Sequence, residues 1–305
     1  LSLKTINVSG FNNTTNQNND LNNMVNVDVD SDASTFNSSS ADLAVPSTSG
    51  CYKIKYAGLY WGAVIKGSSD SNTKVKFKVP GGSYIDITGT SIYYQNSSSN
   101  SKSNTYASYA DVTSYVTALA NPQGTYTVAN VSTLTGKFPN VEGLSAGWSL
   151  FIVYEDPALP SKYITSFDGY SIISSTNNQD VTVSGFKTIP TGPVNAKYAF
   201  SALEGDKGFT GDFLQINGTT INATNSVGTV IRPSNDFFNS SVSYINPATN
   251  TPELFLTRNP KSSNTLGFDA GILNIPNGGN TLIKNGDTSA LIHLSSTKDI
   301  YYFYF

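Results

Sequence analysis

Carboxylates are the only side chains in this sequence grouped closely enough to suggest chemistry. Asp28, Asp30 and Asp32 form an Asp-x-Asp-x-Asp run, and Glu204, Asp206 and Asp212 share the stretch Glu-Gly-Asp-Lys-Gly-Phe-Thr-Gly-Asp. Calcium is the metal such donors suit, because it takes oxygen from carboxylates and loop carbonyls. The first run has the opening spacing of an EF-hand but is not one: Ala33 stands at the sixth position in place of Gly, and Ser39 at the twelfth in place of Glu. Its competing reading is an edge strand with Val25, Val27 and Val29 inward and the aspartates outward, where charge discourages pairing with another sheet. The second group lies in a Gly-rich loop that lets its carboxylates converge. The alternative there is a solvated acidic turn containing Lys207. Calcium at these six residues is the one cofactor expected.

Other chemistries lack their parts. The chain has one His, His293, and one Cys, Cys51, so a tetrahedral zinc site has too few ligands and an internal disulfide is excluded. A Ser–His–Asp mechanism would have to use His293, which alternates with Ile292 and Leu294 along a strand pattern, and no Gly-x-Ser-x-Gly elbow occurs. A glycosidase needs two carboxylates flanking a cleft. Glu155 and Asp156 are adjacent and precede Pro157, which reads as a turn. No catalytic residue is assigned, and the expectation is a protein without enzymatic activity.

The elements that must carry these residues read as strands. Lys53–Lys55 alternates with Tyr52–Tyr56, then 57–64 is apolar on both faces; Val75, Phe77 and Val79 alternate with lysines before a Pro-Gly-Gly turn. Further strands are expected at 125–131, 149–154, 163–173, 181–186, 197–203, 213–216, 254–257, 282–283, 290–294 and 300–305. One helix stands out: Asp111 is placed to cap it, Val112, Tyr115, Val116 and Leu119 share a face, and Pro122 and Gly124 stop it. Trp61 and Trp148 lie in the two most apolar strands and read as core. Cys51 reads as a small buried residue ahead of a strand. The polar run 95–105 is a loop. The fold class is all-β: tandem β-sandwich, jelly-roll-like domains with one short helix. An Asn-rich segment, 1–24, precedes a first sandwich at 25–175 and a second at 176–305, with the break in the polar run 175–180. One elaborated sandwich is the alternative.

Composition narrows the partners. The 305 residues are only 13% charged, with a net charge of −3 at pH 7. Soluble proteins average about 25% charged, and here Asn, Ser, Thr and Gly stand in. No basic field exists to hold nucleic acid, and Arg232 and Arg258 are the only arginines. No stretch reaches the roughly 18–20 apolar residues of a membrane helix. The start lacks a basic and then apolar signal, so an exported form has already lost it.

Several segments together resemble a known family. Ala-Gly-Leu-Tyr-Trp-Gly-Ala-Val at 57–64, Tyr-Ala-Asp-Val-Thr-Ser-Tyr-Val at 109–116, Gly-Thr-Tyr-Thr-Val-Ala-Asn-Val at 124–131 and Ala-Gly-Trp-Ser-Leu-Phe-Ile-Val-Tyr-Glu-Asp-Pro at 146–157 are similar to the N-terminal, adhesin-like region of large secreted Bacteroidetes cell-surface proteins. These are the repeat-bearing proteins associated with gliding and type IX secretion, and the likeness extends to related regions of Gram-positive surface proteins. It continues through 35–46, 167–173, 204–218, 235–243 and 264–276. The resemblance implies an extracellular, cell-surface location and attachment to a glycan, a protein or a partner cell. The alternative is a subunit of an extracellular filament, a homopolymer joined by strand addition through the N-terminus or the aromatic strand 300–305.

Overall fold

The computed structural model describes residues 3–5, 18–46, 50–65, 70–94, 104–137 and 143–305. It is all-β, with a single short α-helix, Thr113–Thr117, among the described residues. Contacts divide the chain into two units.

The first unit takes in 19–160 and 256–262. One antiparallel sheet has the order Ala146–Glu155, Lys53–Ile65, Asn104–Asp111, Thr90–Tyr94; the other runs Arg258–Asn259, Ser38–Leu43, Gly124–Ala129, Lys74–Lys78, Ile85–Thr88. Alternation selects the faces, as expected: Val75 and Phe77 are buried between half-exposed or exposed lysines. Trp61 and Trp148 are directly paired across two strands and both lie in the core. The Trp148 indole donates to Ser39 Oγ in the opposite sheet at 2.8 Å, and the Trp61 indole to the Asn72 carbonyl at 2.8 Å. The helix is shorter than its sequence pattern. Asp111 ends a strand and accepts from the Thr113 N–H at 2.9 Å, while Val112 and Val116 are buried and Tyr115 is exposed.

The second unit takes in 161–255 and 263–305. Its six-stranded sheet is ordered Ser171–Ile173, Tyr301–Phe303, Lys197–Leu203, Phe268–Asn274, Val242–Asn246, Thr251–Leu254. A four-stranded sheet runs Gln179–Ser184, Ser289–Ser296, Asp212–Ile216, Thr219–Thr220, and Ala223–Thr224 pairs with Val230–Arg232. Phe200, Phe237, Phe238, Leu214, Leu294 and Tyr301 are central to the core. The Tyr301 ring stacks on Phe238 with centroids 4.3 Å apart. The last strand is paired on both edges, by Ser171–Ile173 and by Lys197–Leu203.

Several expectations are corrected. The division falls at 160/161 instead of within 175–180, because Ser171–Ile173 pairs with the terminal strand. The segment 256–262 also returns to the first unit, where Arg258–Asn259 pairs with Ser38–Leu43. Residues 161–170 form no strand. Of the Asn-rich segment, Leu3–Thr5 pairs with Met24–Asn26, and 6–17 lie outside the described residues. In the polar run 95–105, residues 95–103 also lie outside them, whereas Asn104 and Thr105 are buried strand residues. Cys51 is exposed, following Gly50 at φ 68° and preceding the outer end of the long strand. Among the described residues no helix is long and apolar enough to cross a membrane.

Candidate functional site

The three N-terminal aspartates are not on a strand. The strand ends at Asn26, and Asp28, Asp30 and Asp32 follow on an exposed loop, where Val27 alone of the three valines is fully buried. The loop folds around Ser38, whose hydroxyl lies 2.8 Å from Asp28 Oδ1 and 3.0 Å from Asp30 Oδ1 and accepts from the Val29 N–H. One hydroxyl proton thus serves two carboxylates. The other Asp30 oxygen accepts from the Tyr84 hydroxyl. Burial pushes the Asp30 carboxyl up, but hydrogen bonds from Tyr84, the Asp32 N–H and Ser38 outweigh it and hold the group below the usual range. Asp32 turns away to cap the Ser34 N–H at 2.8 Å.

The Glu204–Asp212 stretch is not a solvated turn. Glu204, Asp206 and Asp212 are all buried, in a loop that leaves the strand Lys197–Leu203 and enters Asp212–Ile216. Local geometry requires the glycines. Glu204 takes φ 71°, and a Cβ on Gly205 would stand 2.0 Å from the Phe238 carbonyl oxygen and 2.5 Å from Asp269 Oδ2. Gly211 takes φ 130°, donates to the Asn235 carbonyl at 2.7 Å and accepts from the Thr297 N–H at 2.7 Å. These bonds tie the loop to two further segments, 235–241 and 296–300.

Three more buried acids arrive with those segments and with the strand Phe268–Asn274: Asp236, Asp269 and Asp299. The Asp206 N–H donates to Asp299 Oδ2 at 3.3 Å. Asp212 Oδ1 accepts from the Phe238 N–H at 2.7 Å, and Asp212 and Asp236 form a parallel bridge. Asp269 is answered by Arg232, whose Nη1 stands 2.8 Å from its Oδ1, with both groups fully buried. Arg232 also donates to the carbonyls of Phe237, Ser241 and Ala270 and to Ser243 Oγ, and its guanidinium lies over the Phe200 ring at 4.8 Å. Lys207 Nζ donates to the Ser263 carbonyl at 3.2 Å. The second unit therefore buries six acids, and the basic side chains bonded among these segments are Arg232 and Lys207.

The imbalance appears in protonation. Burial, with the charges of Asp206 and Asp212, pushes Asp299 up to about 9. Burial, against the Phe238 N–H and with Asp236 and Asp269 nearby, lifts Asp212 to about 7. Asp269 is raised by burial to about 6 in spite of Arg232. Asp236 is also raised by burial, against the Gly208 N–H, Arg232 and Lys207. Asp212 Oδ2 and Asp236 Oδ1 have no hydrogen-bond partner.

Comparison with protein-family models, curated proteins and solved structures returned no match.

The sequence reading found three of the six buried acids and missed Asp236, Asp269 and Asp299. A usable signal was present, because Asp269 stands between Phe268 and Ala270 in an apolar strand and Asp299 precedes an aromatic run. An isolated acid in such a setting is buried with the strand. Among the described residues no group of three or more His, Cys, Asp or Glu side chains forms a metal cage. His293 sits on the outer face of its strand, its Nδ1 2.6 Å from Asp180 on the neighbouring strand. Glu155 pairs with Lys55 at the surface, and Asp156 turns inward to accept from the Ala158 N–H at 2.9 Å.

Proposed function

We propose that the chain is a non-enzymatic binding module of a secreted cell-surface adhesin. It would attach a cell to a glycan, a protein or another cell, in the manner implied by its resemblance to the N-terminal regions of large Bacteroidetes surface proteins. One observation carries this reading. In the irregular segment 161–170, Tyr163, Ile164 and Phe167 are 69%, 61% and 42% exposed. Large apolar side chains grouped at an exposed surface mark an interaction site. Tyr and Phe rings offer broad contact area at low entropic cost and stack on the faces of sugars or apolar side chains. The chain as a whole is only 13% charged, so contact should depend more on apolar area than on charge.

The test is retention of labelled protein on glycan arrays and on whole cells, at low and high salt. Tyr163→Ala with Phe167→Ala should lower retention at least tenfold and leave the fold intact, while raised salt changes it little. Equal retention by the double variant would sink this reading, as would turnover of a polysaccharide or ester that a single carboxylate substitution abolishes. The filament alternative has less support, because its aromatic donor strand already has a neighbour on each edge within its own unit.

A further inference from the structure

We infer that Asp212 and Asp236 together bind a divalent cation of the calcium class within the second unit. The starting point is a pair of buried oxygens with nothing to bind. Asp212 is 0% exposed and Asp236 8% exposed, yet Asp212 Oδ2 and Asp236 Oδ1 each lack a hydrogen-bond partner. Buried polar atoms are paired as a rule, and a buried carboxylate oxygen without a donor is costly. The bridge between residues 212 and 236 sets the two backbones side by side.

Nearby donors are directed elsewhere. The Phe238 N–H is taken by Asp212 Oδ1, the Phe237 and Gly208 N–H groups act on Asp212 and Asp236 without satisfying Asp212 Oδ2 or Asp236 Oδ1, the N–H groups of Ser240 and Ser241 go to Asp269, and the Lys207 ammonium reaches the Ser263 carbonyl. Arg232 uses its donors on Asp269, three carbonyls and Ser243. Asp299 lies close to Asp212, and Asp206 close to Asp299, so further carboxyl groups surround the pair. A cation is the partner that this arrangement calls for.

Its class follows from the donors. With only oxygen ligands and two formal negative charges, the pair favours a hard divalent ion over zinc or copper, which seek nitrogen and sulfur. Two carboxylates do not amount to a cage of side chains, and calcium accepts backbone carbonyl and water oxygens in its remaining positions. The site stands apart from the adhesin reading and holds whether or not 161–170 binds anything.

Calorimetric titration of calcium into the chelator-treated full chain is the test, with melting curves on the same samples. The wild-type chain should bind one calcium and melt higher with it. Asp212→Asn and Asp236→Asn should each weaken binding at least tenfold. In chelator both variants should melt at or above the wild-type temperature, since Asn keeps the shape and removes a repelling charge; this separates lost binding from unfolding. Asp28→Asn combined with Asp30→Asn should leave binding unchanged. The proposal is overturned by a wild-type chain that neither binds nor gains stability at millimolar calcium, by binding that survives both Asn variants, or by binding that disappears with the N-terminal pair.

Discussion

The two units solve the same problem, burying polar groups between sheets, by different means. In the first unit the buried polar residues are almost all neutral: Asn37, Ser38, Ser39, Asn72, Asn104, Thr105 and Ser108. Asn37 shows the pattern, accepting from the Val131 N–H at 3.0 Å and donating to the Val131 carbonyl at 2.8 Å. Among the described residues this unit buries one acid, Asp156, against six in the second. Neutral pairs cost little to desolvate and their net value is about 1 kcal/mol each. Buried charges carry a desolvation cost of several kcal/mol per ion, which only a close partner offsets. The second unit therefore depends on pH and on ions in a way the first does not.

The largest effect should come from Arg232. Replacing it with Met fills similar volume but leaves Asp269 buried without its counter-charge and orphans the carbonyls of Phe237, Ser241 and Ala270. Loss of one member of a buried pair costs about 3–5 kcal/mol. Hydrogen exchange should rise across 200–216, 230–255 and 263–275 while protection in 53–65 and 104–111 persists. A variant as stable as the parent would show that the pair is dispensable and would erase the contrast between the units.

Next in size is the response to pH, measured in chelator. Asp269, Asp212 and Asp299 have folded-state values of about 6, 7 and 9, above the ordinary carboxyl value near 4. The folded state therefore holds more protons than the unfolded chain from about pH 4 to pH 9, and stability falls as pH rises through that window. Asp206, Asp236, Lys207, Arg232 and Tyr301 lie among the same groups, so the three titrations are coupled and the decline should be broad. Amide exchange in the second unit should speed up from pH 5 to pH 9 beyond its intrinsic rise, and the first unit should show only the intrinsic rise. A second unit as protected at pH 9 as at pH 5 would contradict this account.

This difference between the units explains what the sequence disclosed. Period-two alternation in 53–56 and 74–78 and the apolar runs around Trp61 and Trp148 are local patterns, so the strands and the all-β class were legible from them. The convergence of the buried acids was not, because it arises from four segments between 204 and 300 meeting in space. Gly205 illustrates the limit. Its necessity lies in the Phe238 carbonyl, 33 residues away in sequence, and nothing beside it in the chain reveals that contact. Pairing also overrode pattern at 161–170, where a segment carrying Tyr163, Ile164 and Phe167 forms no strand, and at 256–262, which rejoined the first unit through Ser38–Leu43.

The smallest predicted effect tests the neutral side of the comparison. Ser39 Oγ is the acceptor for the Trp148 indole N–H, a contact that links the two sheets of the first unit at 2.8 Å. Ser39→Ala removes that acceptor and leaves a buried neutral donor unsatisfied, at a cost of about 1–3 kcal/mol. The cavity is minor, since only one hydroxyl oxygen is lost, and Trp148 keeps its place opposite Trp61. Urea denaturation followed by tryptophan fluorescence reads the change directly, because Trp61 and Trp148 are the only two tryptophans and both belong to this unit. The midpoint should fall without a change in slope, and it should fall equally at pH 5 and pH 8 because no ionisable group is involved. A loss as large as that of Arg232→Met, or one that varies with pH, would mean that the first unit also relies on charge and that the division drawn between the two is wrong.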